Sequence, residues 1–297
     1  MSPARPLVSL LLAAMLLAGC GGDEEIARVG DTEFYLSDIA GLFENGAVTG
    51  SDFRTVLYRV MAVEALNQSL EADFGVSVEA EEVERRLVEL EASLTLSGQT
   101  PAEALGMAGV SRGMLRFTAE VNALRDVAIE ALLTDPEVVD GLYADPTTLT
   151  TVCARHILVA TEEEAEAAAA RLAAGEDFAA VADELSLDTN SEGGDLGCLP
   201  ASTFVDEFAE AVVAGEIGEV TGPVETEYGF HLVLVYERTA PSREEFLADP
   251  RSAISTELLA DVWSNWFNKE LGAADVWLSP DYGTWYPGGI VAPSAGE

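Results

Sequence analysis

Val152-Cys153-Ala154-Arg155-His156-Ile157-Leu158-Val159-Ala160 and, further along, Phe230-His231-Leu232-Val233-Leu234-Val235-Tyr236 are two apolar runs of the length of buried strands. Between them the local signals alternate quickly. Thr161-Glu162-Glu163-Glu164 opens a helix, with a capping hydroxyl followed by acids at the helix's positive end, and Gly175 closes it. Asp177 to Leu187 reads as a second helix, Asn190 to Gly197 as a polar glycine-rich loop, and Thr203 to Val213 as a third helix. Turns at Gly215, Gly218 and Gly222 lead into a short strand, Pro223 to Thr226, and Glu227-Tyr228-Gly229 turns into the last one. This mixture predicts an α+β domain over residues 152–239, about ninety residues long and ordinary in size for a domain.

The flanks have a different texture. Ile26-Ala27-Arg28-Val29 turning at Gly30-Asp31 predicts a short strand pair over residues 26–35. Helical spacing then dominates to about residue 144: Phe53, Val56, Val60, Val63, Leu66 and Leu70 on one stripe, Val83, Leu87, Leu90 and Leu94 on another, Met114, Phe117, Val121, Leu124 and Ala128 on a third. Thr100-Pro101 is a helix start, a capping residue followed by proline at the first helical position, and Pro136 opens a shorter helix. Past Pro241, Ile254, Leu258, Val262 and Trp266 form one more stripe, which needs a partner to cover Trp263, Trp266 and Phe267. The reading is a discontinuous helical domain, residues 26–146 with 241–280, into which the α+β domain is inserted. Residues 281–297 read as a C-terminal tail, frayed from Pro287 onward.

Of 297 residues, 48% are hydrophobic and 23% charged, which is the balance of a folded chain with a real core. The charge is lopsided: 15 Lys and Arg against 53 Asp and Glu, net −38, which repels phosphate backbones and argues against nucleic-acid binding. Three cysteines are too few for a small disulfide scaffold, and two histidines exclude a chemistry built on several. At the start, Arg5 is the only charge before Asp23, and Leu7 to Leu17 is an apolar run too short to span a bilayer comfortably. With its small-residue exit this is a secretory signal. Its Leu17-Ala18-Gly19-Cys20 ending resembles the bacterial lipobox, which implies that residues 1–19 are removed and that Cys20 becomes a diacylated membrane anchor. Residues 20–25 would be a solvated tether, and the mature charge would be −39.

The chemistry concentrates in the middle segment, which holds both histidines, each leading an apolar stretch, His156-Ile157-Leu158-Val159 and His231-Leu232-Val233-Leu234-Val235. Alternation puts His156 on one face with Leu158, and His231 on one face with Val233 and Val235. If the strands are neighbours, the two imidazoles meet. The competing reading is two core histidines, each bonded to backbone.

Arg155-His156-Ile157-Leu158-Val159, Leu185-Ser186-Leu187-Asp188, Gly193-Gly194-Asp195-Leu196-Gly197 and Gly229-Phe230-His231 occur in the order and spacing of the parvulin-type peptidyl-prolyl isomerases, over about residues 152–238. With the lipobox and the flanking helices, the whole chain resembles a PrsA/SurA-type extracytoplasmic foldase. The resemblance implies a parvulin α+β domain of the FKBP-like superfold inserted in a mainly helical, SurA/PrsA-like chaperone domain. It places His156, Asp188 and His231 in the polar catalytic cluster, and Leu196, Phe204 and Phe208 around the proline ring of the substrate. Phe204 departs from the family, which usually carries Met there; Tyr228 stands where members vary. Phe204 and Phe208, four residues apart, also fit an ordinary helix core.

These implications define an expected activity. The enzyme would catalyse cis–trans isomerisation of Xaa-Pro bonds in unfolded, newly exported polypeptides at the outer face of the membrane, with no cofactor and no metal. The alternative is a non-enzymatic holdase with a vestigial parvulin domain. No Gly-x-Ser-x-Gly elbow is present. A zinc site from Cys153, His156, Cys198 and His231 has no standard finger spacing. Once Cys20 is lipidated, two cysteines remain in an oxidising compartment, and the preferred reading pairs Cys153 with Cys198 in a bridge flanking the site. Few basic residues lie in 153–239, and Ala160-Thr161-Glu162 stands where phosphate-directed parvulins carry a basic loop. No preference for phosphoserine-proline is expected, and neutral or basic residues are expected before proline.

Overall fold

The computed structural model describes residues 24–43, 51–94, 100, 101, 103 and 111–293. The expected leader with Cys20, and most of the helix expected after Pro101, lie outside the described residues. By internal contacts the chain divides into two units. One runs to Leu132 and resumes at Ala260; the other is Leu133–Leu259.

The first unit opens with the expected hairpin, β1 (Glu25–Val29) and β2 (Thr32–Tyr35), turning through Gly30 at φ +54°. Helices α1 (Leu36–Ala40), α2 (Ser51–Phe74), α3 (Ala80–Leu94) and α4 (Arg112–Leu132) follow. The α2 stripe is buried from Phe53 to Leu70. Val83 and Leu87 of α3 pack with Leu115, Ala119 and Ala123 of α4.

In the second unit, α5 (Pro136–Ala144) is capped by Asp135, whose carboxylate accepts from the Glu137 and Val138 amides. Then come β3 (Thr151–Val159), α6 (Glu162–Ala173), α7 (Phe178–Leu185), β4 (Asp195–Pro200), α8 (Asp206–Ala214), β5 (Val220–Thr226), β6 (Gly229–Thr239) and α9 (Arg243–Ala248). The sheet is antiparallel in the order β4-β3-β6-β5. One face buries Ile157, Val159 and Leu232 under α6 and α7; the other buries Val152, Ala154, Val233 and Val235 under Phe208 and Val212 of α8. Two features differ from the sequence reading. Asp195–Pro200, half of it read as loop, is a strand, because an apolar neighbour, β3, pairs it in spite of its polar composition. Residues 133–146 and 241–259 belong by contacts to this unit, with Tyr143 and Phe246 stacked edge-on at 6.0 Å.

The chain returns to the first unit through α10 (Thr256–Ala273), whose Trp266 meets Phe74 at 6.3 Å. Strand β7 (Val276–Leu278) pairs antiparallel with β1 and completes a sheet of order β2-β1-β7. The segment read as a tail, frayed from Pro287, instead holds a hairpin, β8 (Thr284–Tyr286) with β9 (Gly289–Val291). It is held by Trp285 against Tyr58 at 5.0 Å and by the Tyr58 hydroxyl, which donates to the Pro287 carbonyl at 2.5 Å. No helix among the described residues is long and apolar enough to cross a membrane.

Candidate active site

The β3–β6 register sets His156 opposite Val233 and His231 opposite Leu158. Both imidazoles therefore project from one face, on a diagonal of the ladder. Their Nδ1 atoms are 3.2 Å apart and the rings stack at 21°, with centroids 5.4 Å apart. Both histidines are buried.

The Leu185–Asp188 stretch is bolted to β3. The Leu187 amide donates to the Leu158 carbonyl at 2.7 Å, and the Ser186 hydroxyl accepts from the Leu158 amide at 3.1 Å. Asp188 is thereby delivered to His156, Oδ2 to Nε2 at 2.9 Å. The Ser191 hydroxyl also donates to Oδ2 at 2.6 Å and the Asn190 amide to Oδ1 at 3.0 Å. These bonds, that of Ser191 foremost, hold the Asp188 carboxyl down at about 2. The double glycine of the following loop has a steric cause: Gly194 sits at φ +69°, and a Cβ there would run into the His156 carbonyl.

The sequence reading missed Thr226. Its Oγ1 lies 2.8 Å from His231 Nε2 and accepts the Tyr228 amide at 3.2 Å. Burial, then the neighbouring His156, lowers His231 to about 4, so it is neutral at pH 7. An ionised Asp188 can only accept, so His156 donates to it from Nε2. Thr226 Oγ1 is within hydrogen-bond reach of both His231 Nε2 and the Gly229 carbonyl, the latter at 3.5 Å. One hydrogen-bonded chain links Thr226, His231, His156 and Asp188.

Against this chain stands an apolar wall. Phe208, buried on α8, meets His231 edge-on at 5.1 Å and His156 edge-on at 5.8 Å. Phe204 lies 4.9 Å from Phe208, but it is not in the same helix: its backbone is extended and α8 begins only at Asp206. Leu196 and Phe204, both half-buried, pack on the same cluster. A disulfide joins Cys153 to Cys198 across β3 and β4 and takes up both thiolates that a zinc site would need. Tyr228 is exposed beside Thr226.

Residues 156–237 match the PPIC-type PPIase domain, the Rotamase family. The chain is 39% identical to a foldase protein PrsA of Halalkalibacterium halodurans over 148 residues, 47% of this chain and 44% of that one. It is 29% identical to a foldase protein PrsA of Oceanobacillus iheyensis over 238 residues, 76% of this chain and 73% of the relative. The alignment thus spans less than half of the first relative's length and nearly three quarters of the second's. Its fold is similar to the crystal structure of a peptidylprolyl isomerase, PrsA, from Bacillus cereus, with a TM-score of 0.54, 23% identity, and coverage of 86% of this chain and 94% of that one.

Proposed function

We propose that this chain, which belongs to the parvulin-type, PPIC-domain family of PrsA foldases, catalyses cis–trans isomerisation of Xaa-Pro bonds in exported, unfolded polypeptides. The observation that carries the reading is the juxtaposition of the Thr226–His231–His156–Asp188 chain with the wall of Phe208, Phe204 and Leu196. Isomerisation is slow because amide resonance must be lost, a barrier of roughly 18–20 kcal/mol. No covalent bond forms or breaks. The residues required are those that grip the proline ring and favour the twisted amide over either planar form. Leu196, Phe204 and Phe208 hold the ring. The hydrogen-bonded chain fixes both imidazoles and Asp188, so that they orient the substrate carbonyl by hydrogen bonds with no proton transferred.

The setting supports the same reading. The leader implies export and a lipid anchor at Cys20, at the outer face of the cell membrane. Near the site, Arg155 is drawn to Asp195 at 3.6 Å, and Glu164 accepts the Ala160 and Thr161 amides at 3.2 Å each. Anion-binding groups there already face carboxylates, which favours neutral or basic residues before proline. Turnover of a proline tetrapeptide by the mature chain tests the proposal. Clear catalysis, strongly reduced in Phe208→Ala, is expected. A folded chain without catalysis that still suppresses aggregation would make it a holdase.

A further inference from the structure

We propose that the Cys153–Cys198 disulfide positions Leu196 in the proline slot, so that its thiol–disulfide state sets the affinity for proline peptides. This rests on the isomerase reading above. The register of β4 carries the proposal. Cys153 faces Cys198, Ala154 faces Gly197, and Arg155 faces Asp195. Leu196 is the extra residue, a β-bulge, with Gly197 at φ +69°. Bulges re-aim a side chain, and this one turns Leu196 onto the cluster of Phe208 and Val233.

The bulge sits on an edge strand. In the sheet β4 is bonded to β3 alone. An edge strand with a glycine bulge has weakly specified register, and a slip of one residue turns its side chains to the other face. Ahead of Leu196, Asp195 takes the Tyr236 hydroxyl at 3.1 Å, an exposed contact. Beyond it, Cys198 and Leu199 are exposed, and the Ala201 amide bonds to Thr150 at 2.8 Å. The bridge is the covalent tie next to the bulge, two residues from Leu196.

The exchange chemistry has a defined polarity, because Cys198 is exposed and Cys153 is 4% exposed. A thiolate of a dithiol reductant attacks Cys198 Sγ. The Cys153–Cys198 bond breaks, its electron pair leaves on the Cys153 sulfur, and that sulfur takes up a proton. The second thiol of the reductant then displaces Cys198 from the mixed disulfide. The dithiol is oxidised by two electrons and the protein gains two thiols.

The test measures KM and kcat for a proline tetrapeptide with the mature chain, oxidised and after dithiothreitol. Wild type and Leu196→Ala are compared. Reduction is expected to raise the wild-type KM about tenfold, the scale of losing one apolar side-chain contact, with kcat held. Reoxidation restores KM. Leu196→Ala begins with the raised KM and is indifferent to reductant. The Cys153→Ser, Cys198→Ser double variant should match the reduced wild type. A wild-type KM that ignores the appearance of two thiols would overturn the proposal. So would a Leu196→Ala chain that still responds as the wild type does. Peptide affinity by NMR titration reads the same quantity without turnover. An affinity that tracks the redox state in a chain without turnover would retire only the isomerase reading.

Discussion

Glu120→Gln should remove a pH dependence that is confined to the first unit. Glu120 on α4 is 7% exposed, and Glu64 on α2 is 4% exposed. Glu64 has donors, the Thr32 hydroxyl at 2.7 Å and the Gln68 amide at 2.8 Å. Burial and then the Glu64 charge push Glu120 up to about 7, and Arg116, itself paired with Glu84, offsets this only in part. The folded value is raised above the ordinary 4.5, so the folded state holds this proton more tightly than the unfolded chain does. The stability it confers is fully present below pH 4.5, is lost as pH rises through 7, and is gone above that. The span corresponds to about 3 kcal/mol at most, at 1.36 kcal/mol per pH unit. The assay is built into the chain. All four tryptophans, Trp263, Trp266, Trp277 and Trp285, lie in the first unit, so their fluorescence during urea unfolding reports that unit alone. The wild-type midpoint should fall between pH 5 and 8, while Glu120→Gln stays nearly level and is the more stable of the two at pH 8. Midpoints that move in parallel across this range would mean that the pH dependence does not arise from Glu120.

Other outcomes follow from particular contacts. Arg238 Nη1 donates to the carbonyls of Val213 and of Gly215, the latter at 2.9 Å, closing the end of α8. Arg238→Met keeps the stem and loses the donors, and should cost the second unit about 1–3 kcal/mol in calorimetry; an unchanged Tm would contradict this. His231 ring signals in an NMR titration should move with a midpoint near 4; one near 6.5 would mean that the ring is not desolvated as described. Ending the chain after Asp275 removes β7 and the β8–β9 hairpin. The remaining tryptophans should then show a loosened first unit, whereas wild-type stability would mean that these strands only decorate it.

Much of this was legible in the sequence where a period carries the information. Strand alternation fixes the face on which each histidine lies, because a pleat leaves each side chain only two faces, while the adjacency of β3 and β6 that brings the rings together came from the structure. The α2 stripe follows from helical spacing in the same way. Thr226 was not legible: its pairing with His231 depends on the β5–β6 register, with its irregularity between Thr221 and Val224, which no periodicity encodes. Nor was the bulge at Leu196, since polar and glycine residues read as loop until an apolar neighbour pairs with them. The β8–β9 hairpin is too short for a pattern and is held by aromatic contacts to α2, far away in sequence. Glu120 did leave a trace: it falls between Phe117 and Leu124 on an otherwise apolar stripe.

The most direct test of the central claim is NMR exchange between the cis and trans forms of one Xaa-Pro bond in an unlabelled peptide. The mature wild type would be compared with Phe208→Ala and His231→Ala. Exchange that wild type accelerates and both variants slow, with their folds intact, is the predicted result. Exchange by wild type no faster than the peptide alone, or undiminished in Phe208→Ala, would contradict the account.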